Sequence, residues 1–154
     1  MQFNDTLKHE IDNAVLCWLA SVGEDGMPNV SPKEIFSSLG ENRIIIADIA
    51  SPKSTSNIKA NPLVCVSFVD VFRQRGFKLN GQAVLGDPDD ADFASAADKL
   101  RMLAGPDFAI RSIIDVTVTK VSRIWAPSYA LFPERSDSDR ISAAYRTYGV
   151  RPLG

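Results

Sequence analysis

The alternation of apolar and polar positions divides the chain into short elements. Apolar runs and period-two alternation bounded by turn residues predict strands, and apolar positions three or four residues apart predict helices. The six predicted strands are residues 14–21, 27–38, 43–49, 63–70, 76–86 and 111–125. The predicted helices are residues 3–12, 52–60, a helix starting at 87–90 and ending before Gly105, and a short helix near 137–147. Short turns join most strands and alternating βα units are absent, so the pattern predicts a mainly-β fold, a six-stranded antiparallel barrel.

The length of 154 residues suits one domain spanning 1–154. We expect its core in about residues 11–125, because the apolar runs fall there. A polar tail at 134–154 follows Pro133. Three arrangements of the tail stay open: it covers a cleft, exchanges with a partner subunit, or is disordered.

Charge and composition narrow the class of partner. The net charge is −2 and basic residues are scattered, which argues against nucleic acid or a membrane surface as a partner. No apolar run approaches the roughly 20 residues of a membrane span, and the N-terminus lacks a basic segment followed by an apolar one. The expected location is therefore cytoplasmic.

Few residues offer side-chain chemistry of their own. Cys17 and Cys65 lie in separate apolar runs, where buried free thiols are expected and zinc spacing is absent. His9 is the only histidine and falls on a predicted amphipathic helix. We therefore expect no metal site and no histidine-assisted nucleophile. If the protein is an enzyme, a bound cofactor is the economical source of its chemistry.

The most informative segment is 51–57, which crosses from a strand into a helix. Ser51 suits the N-cap and Pro52 the first helical position. A lysine in that first turn, Lys53, opposes the helix dipole unless an anion lies there, and a phosphate would resolve the conflict. Hydroxyl groups of Ser51, Ser54 and Thr55 would add donors. A helix start whose lysine points into solvent is the alternative.

The order of these motifs resembles the pyridoxamine 5′-phosphate oxidase-like, FMN-binding split-barrel family. The resemblance covers about residues 11–125. It is carried by the segments 25–28, 29–33, 43–48, 51–58, 61–62 and 76–83. It implies a split barrel that binds FMN in a cleft between the two subunits of a homodimer.

The resemblance also implies roles for individual residues. Lys53 and Ser54 would bind the FMN phosphate with Ser51 nearby, and Asn57 would face the same side one helical turn later. Ala47 and Asp48 would line the flavin ring and ribityl chain.

Three further positions complete the implied site. The strand Ser31-Pro32-Lys33 would lie under the isoalloxazine, where Lys33 would stabilise the negative charge of reduced flavin. An exposed edge-strand lysine is the alternative for Lys33. Gln82 would reach the ring or phosphate from a neighbouring strand. Trp125 would stack on the partner's flavin, or else be a core or interface tryptophan.

Two departures from the family pattern bear on the activity. Pro52 stands where pyridoxamine-phosphate oxidases carry an arginine, and the C-terminal segment has no histidine to grip a substrate phosphate. Arg123, Arg135 and Arg146 are the candidate donors for a second phosphate. We therefore expect an FMN-dependent oxidoreductase of unknown small-molecule substrate and unknown catalytic residues rather than a vitamin B6 oxidase. The alternatives are a non-catalytic flavoprotein for electron transfer, storage or sensing, a barrel that carries heme or a deazaflavin, and a cofactor-free interaction module.

Overall fold

A computed structural model describes residues 2–153, which form a curled antiparallel sheet with peripheral helices. The seven strands are β1 Cys17–Val22, β2 Pro28–Lys33, β3 Phe36–Leu39, β4 Arg43–Asp48, β5 Leu63–Asp70, β6 Arg75–Gly86 and β7 Ser112–Trp125. The helices are α1 Asp5–Asn13, α2 Pro52–Ala60, α3 Ala94–Ala104, α4 Ser128–Leu131 and α5 Asp137–Tyr148. None of the helices between residues 2 and 153 has the length and apolar character that a membrane crossing requires.

Strand order explains why the sheet curls into a split barrel. The order is β2-β1-β5-β6-β7-β4-β3, so β2 and β3 lie at opposite edges. Only Glu34 and Ile35 separate these two strands in the chain, a span of at most about 11 Å. The two edges must therefore approach each other. Seven antiparallel strands form the half-closed barrel instead of the six predicted.

The extra strand corrects the prediction of one strand over residues 27–38. Local apolar content cannot distinguish one long strand from two short ones, because the division depends on which partner each half finds. β2 pairs with β1, whereas β3 pairs with β4. The crossover is held where the Ala47 N–H donates to the Ile35 carbonyl at 2.9 Å.

The start of the third long helix also differs from the prediction. The α-helix begins at Ala94, after a 3-10 turn at 91–93, and not at 87–90. Asp87 and Asp90 use their carboxylates to accept from backbone N–H groups two residues later, at 2.9 and 3.0 Å. Such local hydrogen bonds favour turns over helix, which explains why the α-helix begins later in the chain than predicted.

Two apolar clusters hold these elements. The larger fills the barrel and includes Ile11, Leu19, Val66, Leu79 and Val116, all fully buried. The smaller lies between α3 and the outer face of β4 and β7, where Ala96, Ala97 and Leu100 pack against Ile45, Ala47 and Ile113. Side chains of β4 are thus buried on both faces of the sheet.

The C-terminal segment packs against its own chain. Phe72, in the β5–β6 turn, contacts Tyr145 and Tyr148 of α5 with ring centroids 4.9 and 6.2 Å apart. Arg75 is 3.2 Å from the Asp137 carboxylate at the start of the same helix. The tail is thus ordered on the β5–β6 turn of its own chain, which is not one of the three arrangements left open by the sequence.

Candidate functional site

The main group of buried and half-buried polar side chains lies where β2, the end of β4 and the start of α2 meet. We call it the Lys33–Asp48 cluster and define it as Ser31, Lys33, Asp48, Ser51 and Ser54. Period-two alternation points Ser31 and Lys33 of β2 to the same face of the sheet. Asp48 is the last residue of β4, and α2 begins four residues later. Five of the residues predicted for the flavin site are therefore brought together.

Ser51 links the two charged members of the cluster. The Lys33 ammonium donates to Ser51 Oγ, and Ser51 Oγ donates to Asp48 Oδ1. The Ser51 backbone N–H also donates to Asp48 Oδ1, at 3.0 Å. Ser112 Oγ, from the start of β7, donates to Asp48 Oδ2 at 3.2 Å. The carboxylate is 6% exposed and is held by three donor groups from two elements.

Because its side chain bonds Lys33 and Asp48, Ser51 does not cap α2 as expected. Ser51 occupies the N-cap position of α2, but its side chain makes no capping hydrogen bond to the helix. The first-turn N–H groups of α2 therefore lack the side-chain acceptor that an N-cap serine normally supplies. They present partial positive charge at the edge of the cluster.

Lys33 is buried, not the exposed edge lysine of the alternative interpretation. It is 8% exposed, and burial lowers its pKa although the nearby Asp48 carboxylate opposes the shift. Cys17, its cross-strand neighbour, is fully buried, and burial raises the pKa of that thiol to about 12. The Cys17 thiol is therefore protonated and unreactive at neutral pH.

Ser54 and Asn57 fasten α2 to the β1–β2 hairpin. Ser54 Oγ lies 2.9 Å from Ser31 Oγ and 3.5 Å from Asn29 Nδ2. Asn57 Nδ2 donates to Ser21 Oγ at 3.1 Å, with both side chains buried. These side chains have partners within the protein, so in this structure they position the helix start.

Lys53 is exposed and extends along the hairpin side of α2. A Cβ placed on Gly23 would lie 3.7 Å from Lys53 Nζ and 3.2 Å from Asn57 Oδ1. Lys53 and Asn57 thus share one face of the helix, as their spacing indicates. They line a cavity of about 490 Å³ together with Glu24 and Asp25 of the hairpin.

Three predicted site residues lie close by but face elsewhere. The Ala47 side chain packs under α3, on the face of β4 opposite Asp48. Pro32 and Gln82 lie on the outer face of the sheet, where both are exposed. Within one protomer, only the backbone of Ala47 or Pro32 can contribute to the Lys33–Asp48 cluster.

Trp125 lies at the far end of the barrel. It ends the 14-residue strand β7, whose first residue, Ser112, contacts Asp48. The strand places roughly 40 Å of chain between these residues. Trp125 is 44% exposed and meets Tyr129 edge-on, with centroids 4.7 Å apart. Among the described residues no contact joins Trp125 to the cluster, and a contact with a partner's flavin stays a prediction.

Three residues of this site were not predicted from the sequence: Ser21, Asn29 and Ser112. Asn29 could have been found, because it alternates with Ser31 and Lys33 along β2. Ser21 and Ser112 carry no local signal. They reach the site only through the pairing of β1 with β2 and of β4 with β7.

Comparison with known proteins agrees with this architecture. The sequence profile of the pyridoxamine 5′-phosphate oxidase family matches residues 3–125, and the chain therefore belongs to that family. The match ends at the last residue of β7, so α4 and α5 lie outside it. No curated protein is a significant match to this chain.

Several solved structures share the fold. HupZ from Group A Streptococcus is 22% identical, with a TM-score of 0.69 over 80% of this chain and 95% of its own. An FMN-binding protein from Syntrophomonas wolfei is 15% identical, with a TM-score of 0.64 over 79% and 88%. An F420 reductase is 25% identical, with a TM-score of 0.58 over 78% and 98%. The fold of this chain is thus that of the FMN-binding split-barrel proteins.

Proposed function

We propose that this protein is an FMN-dependent oxidoreductase that acts on a small-molecule substrate as a homodimer. The observation that carries the proposal is the uncapped start of α2 above the buried Lys33, in a chain that belongs to the pyridoxamine 5′-phosphate oxidase family. Among the structural neighbours, the FMN-binding protein from Syntrophomonas wolfei supports a flavin as the cofactor.

The residues present fit a phosphate group. A phosphate needs several convergent donors and a positive field. The first-turn N–H groups of α2 are free of the usual serine cap, and Lys53 is exposed in the same turn. Lys33 sits beneath, bonded to Ser51. Pro52 lacks an N–H but occupies the position where none is needed for the helix.

FMN, when bound, supplies hydride and electron transfer. The chain itself supplies binding and orientation. The bonds from Ser54 and Asn57 fix α2 against the hairpin, so its N–H groups are positioned before any ligand arrives. Asp48 and Ser51 keep the Lys33 ammonium in one place.

The outer face of the sheet supports a homodimer. Val30, Trp18, Leu63 and Val84, from four neighbouring strands β2, β1, β5 and β6, point to this face and are 57, 45, 59 and 56% exposed. An apolar patch of this kind on a sheet marks an interface. Gln82 lies on the same face, beside Leu63. A second copy seated there would bring Gln82 into the interface.

The test of the cofactor is a visible absorption spectrum of the purified protein, repeated after addition of FMN and desalting. We expect flavin bands that stay with the protein. Lys53→Ala should weaken FMN binding about tenfold or more, because a charge-assisted bond is lost. Lys8→Ala, on α1, is the matched control and should bind as the wild type does, because Lys8 does not line the cavity that Lys53 lines.

Other outcomes of this test would redirect the proposal. Wild-type affinity in Lys53→Ala would contradict the phosphate role of Lys53. Retention of F420 but not FMN would replace FMN with a deazaflavin, the cofactor class suggested by the F420 reductase neighbour. Tight FMN without turnover on nicotinamide or quinone substrates would favour the non-catalytic alternative.

The dimer is tested separately by sedimentation velocity. Leu63→Arg places a charge on the apolar face and should convert the dimer to a monomer at micromolar concentration. Met102→Arg is the control, because Met102 is 85% exposed on α3, away from that face. A wild-type protein that sediments as a monomer would refute the dimer.

A further inference from the structure

A second cavity lies at the opposite end of the barrel. It has a volume of about 120 Å³ and is lined by Arg75, Arg123 and Trp125 from the ends of β6 and β7, and by Thr6 and Glu10 of α1. No residue of the Lys33–Asp48 cluster lines it. Within one chain the cavity is therefore separate from that cluster.

Arg123 is held in the cavity wall by aromatic rings. Its guanidinium carbon is 5.5 Å from the centroid of Phe77 and 5.3 Å from the centroid of Trp125. Between residues 2 and 153 it has neither a hydrogen bond nor an ion pair. Cation–π contacts fix the position of a guanidinium without using its N–H donors. The donor fork of Arg123 is thus positioned and unpaired.

Arg75 adds a second guanidinium to the same wall. Its Nη1 lies 3.2 Å from Asp137 Oδ2 at the start of α5. Asp137 is shared with Arg73, whose Nε is 3.6 Å away. The ion pair engages one nitrogen of Arg75 and orients the rest of its fork. The C-terminal helix, which lies outside the family match, thereby helps to build the cavity.

Charge and size select the ligand class. The charged side chains that line the cavity, Arg75, Arg123 and Glu10, sum to +1, and Asp137, which pairs with Arg75, brings the sum to zero. A monoanion that pairs with Arg123 alone suits this low charge better than a phosphate, which carries about −1.5 to −2 at neutral pH. The volume is close to that of cavities that hold benzene, roughly 150 Å³.

We infer that this cavity binds the carboxylate of a small planar organic acid. A guanidinium fork pairs with a carboxylate through two parallel hydrogen bonds, and Arg123 has its fork unpaired. The indole of Trp125 forms an apolar wall beside it for the body of the ligand. The hydroxyl group of Thr6 is a further donor at the rim.

The experiment is a titration of the purified full chain with benzoate, followed through the two indole N–H signals in a ¹H–¹⁵N NMR spectrum. The Trp18→Phe variant lacks one of the two signals and so shows which signal belongs to Trp125. We expect a saturable shift of the Trp125 signal with half-saturation at roughly 1–10 mM, as befits a nine-atom ligand. The Trp18 side chain lies on the outer face of the sheet, so its indole N–H signal should not shift. Benzamide, the neutral analogue, should bind at least tenfold more weakly.

Two variants with opposite expected effects on benzoate affinity extend the test. Arg123→Gln should weaken benzoate binding about tenfold or more, and Glu10→Gln should tighten it because an opposing charge is removed. Arg101→Gln, on α3, carries the same charge change as Arg123→Gln and should leave binding unchanged, because Arg101 does not line the cavity.

Three outcomes would overturn the inference. They are the absence of a saturable Trp125 shift up to 50-fold above the expected half-saturation, equal binding by Arg123→Gln and wild type, and tighter binding of inorganic phosphate than of benzoate. The titration reports on the carboxylate site and the visible spectrum reports on the flavin, so failure here leaves the proposed flavin function standing. Because Trp125 is also predicted to contact a partner's flavin, the titration is made with and without FMN, and a saturable shift in both states supports a site separate from the flavin.

Discussion

Charged side chains have opposite environments at the two ends of this barrel. In the Lys33–Asp48 cluster, both charges are buried and are linked through Ser51. At the other end, Arg123 is exposed, lies between two aromatic rings and has no polar partner in the described part of the chain. A buried charge is costly without partners, whereas an exposed one can leave its donors to water or a ligand. The first end is thus preformed by internal bonds, and the second is open to a ligand.

The most disruptive test of this contrast is Asp48→Ala. It leaves the buried Lys33 without its nearby carboxylate and removes the acceptor of Ser51 and Ser112. We expect a loss of about 3 kcal/mol in the free energy of unfolding, measured by urea denaturation. Asp98→Ala, at an exposed position on α3, should change stability by less than about 0.5 kcal/mol. Equal effects of the two substitutions would refute the preformed cluster.

The opposite end should respond more mildly to Phe72→Ala. Phe72 is half-buried and joins α5 to the β5–β6 turn through two aromatic contacts. We expect a loss of about 1–2 kcal/mol. Limited proteolysis should then cut within residues 128–150 while the barrel resists. Phe108→Ala, at a 54% exposed position, should have neither effect. Cleavage of the barrel at the same rate as the tail would contradict a separately anchored C-terminal segment.

The smallest expected effect is a pH dependence at Lys33. Burial lowers its pKa below the ordinary value of 10.5 in the folded state. Between the lowered pKa and 10.5 the unfolded chain binds more protons at this residue, so its contribution makes the folded state more stable as pH rises. Lys33→Met should remove that contribution.

The measurement is the wild-type minus Lys33→Met difference in unfolding free energy, followed from pH 8 to just above 10.5. The raised pKa of Cys17 acts in the opposite direction above pH 9, and the Lys33 ammonium lowers that pKa, so both proteins are compared in a Cys17→Ala background. A difference that stays constant across this range would show that the Lys33 pKa is not lowered by folding.

Local sequence signals accounted for most elements and for part of the site. Turn residues and apolar runs located the strands, and Ser51-Pro52 correctly marked the start of α2. The role of the Ser51 side chain was not predictable, because Asp48 competes for it only after β4 and α2 meet. The resemblance assigned Trp125 to the partner's flavin, which stays a prediction; within one chain, the length of β7 lies between Trp125 and the cluster.

The sequence by itself determined the strand-rich class, the helix start at Pro52 and the polar alternation of β2, because each depends on neighbours a few residues away. Tertiary structure alone decided that residues 27–38 form two strands at opposite edges, since edge position depends on pairing partners. It also decided that Lys33 is buried beside Asp48 and that Arg123 is unpaired beside Trp125. Strand pairing sets the burial of a charged side chain and the partners within its reach, and these contacts join residues far apart in the chain.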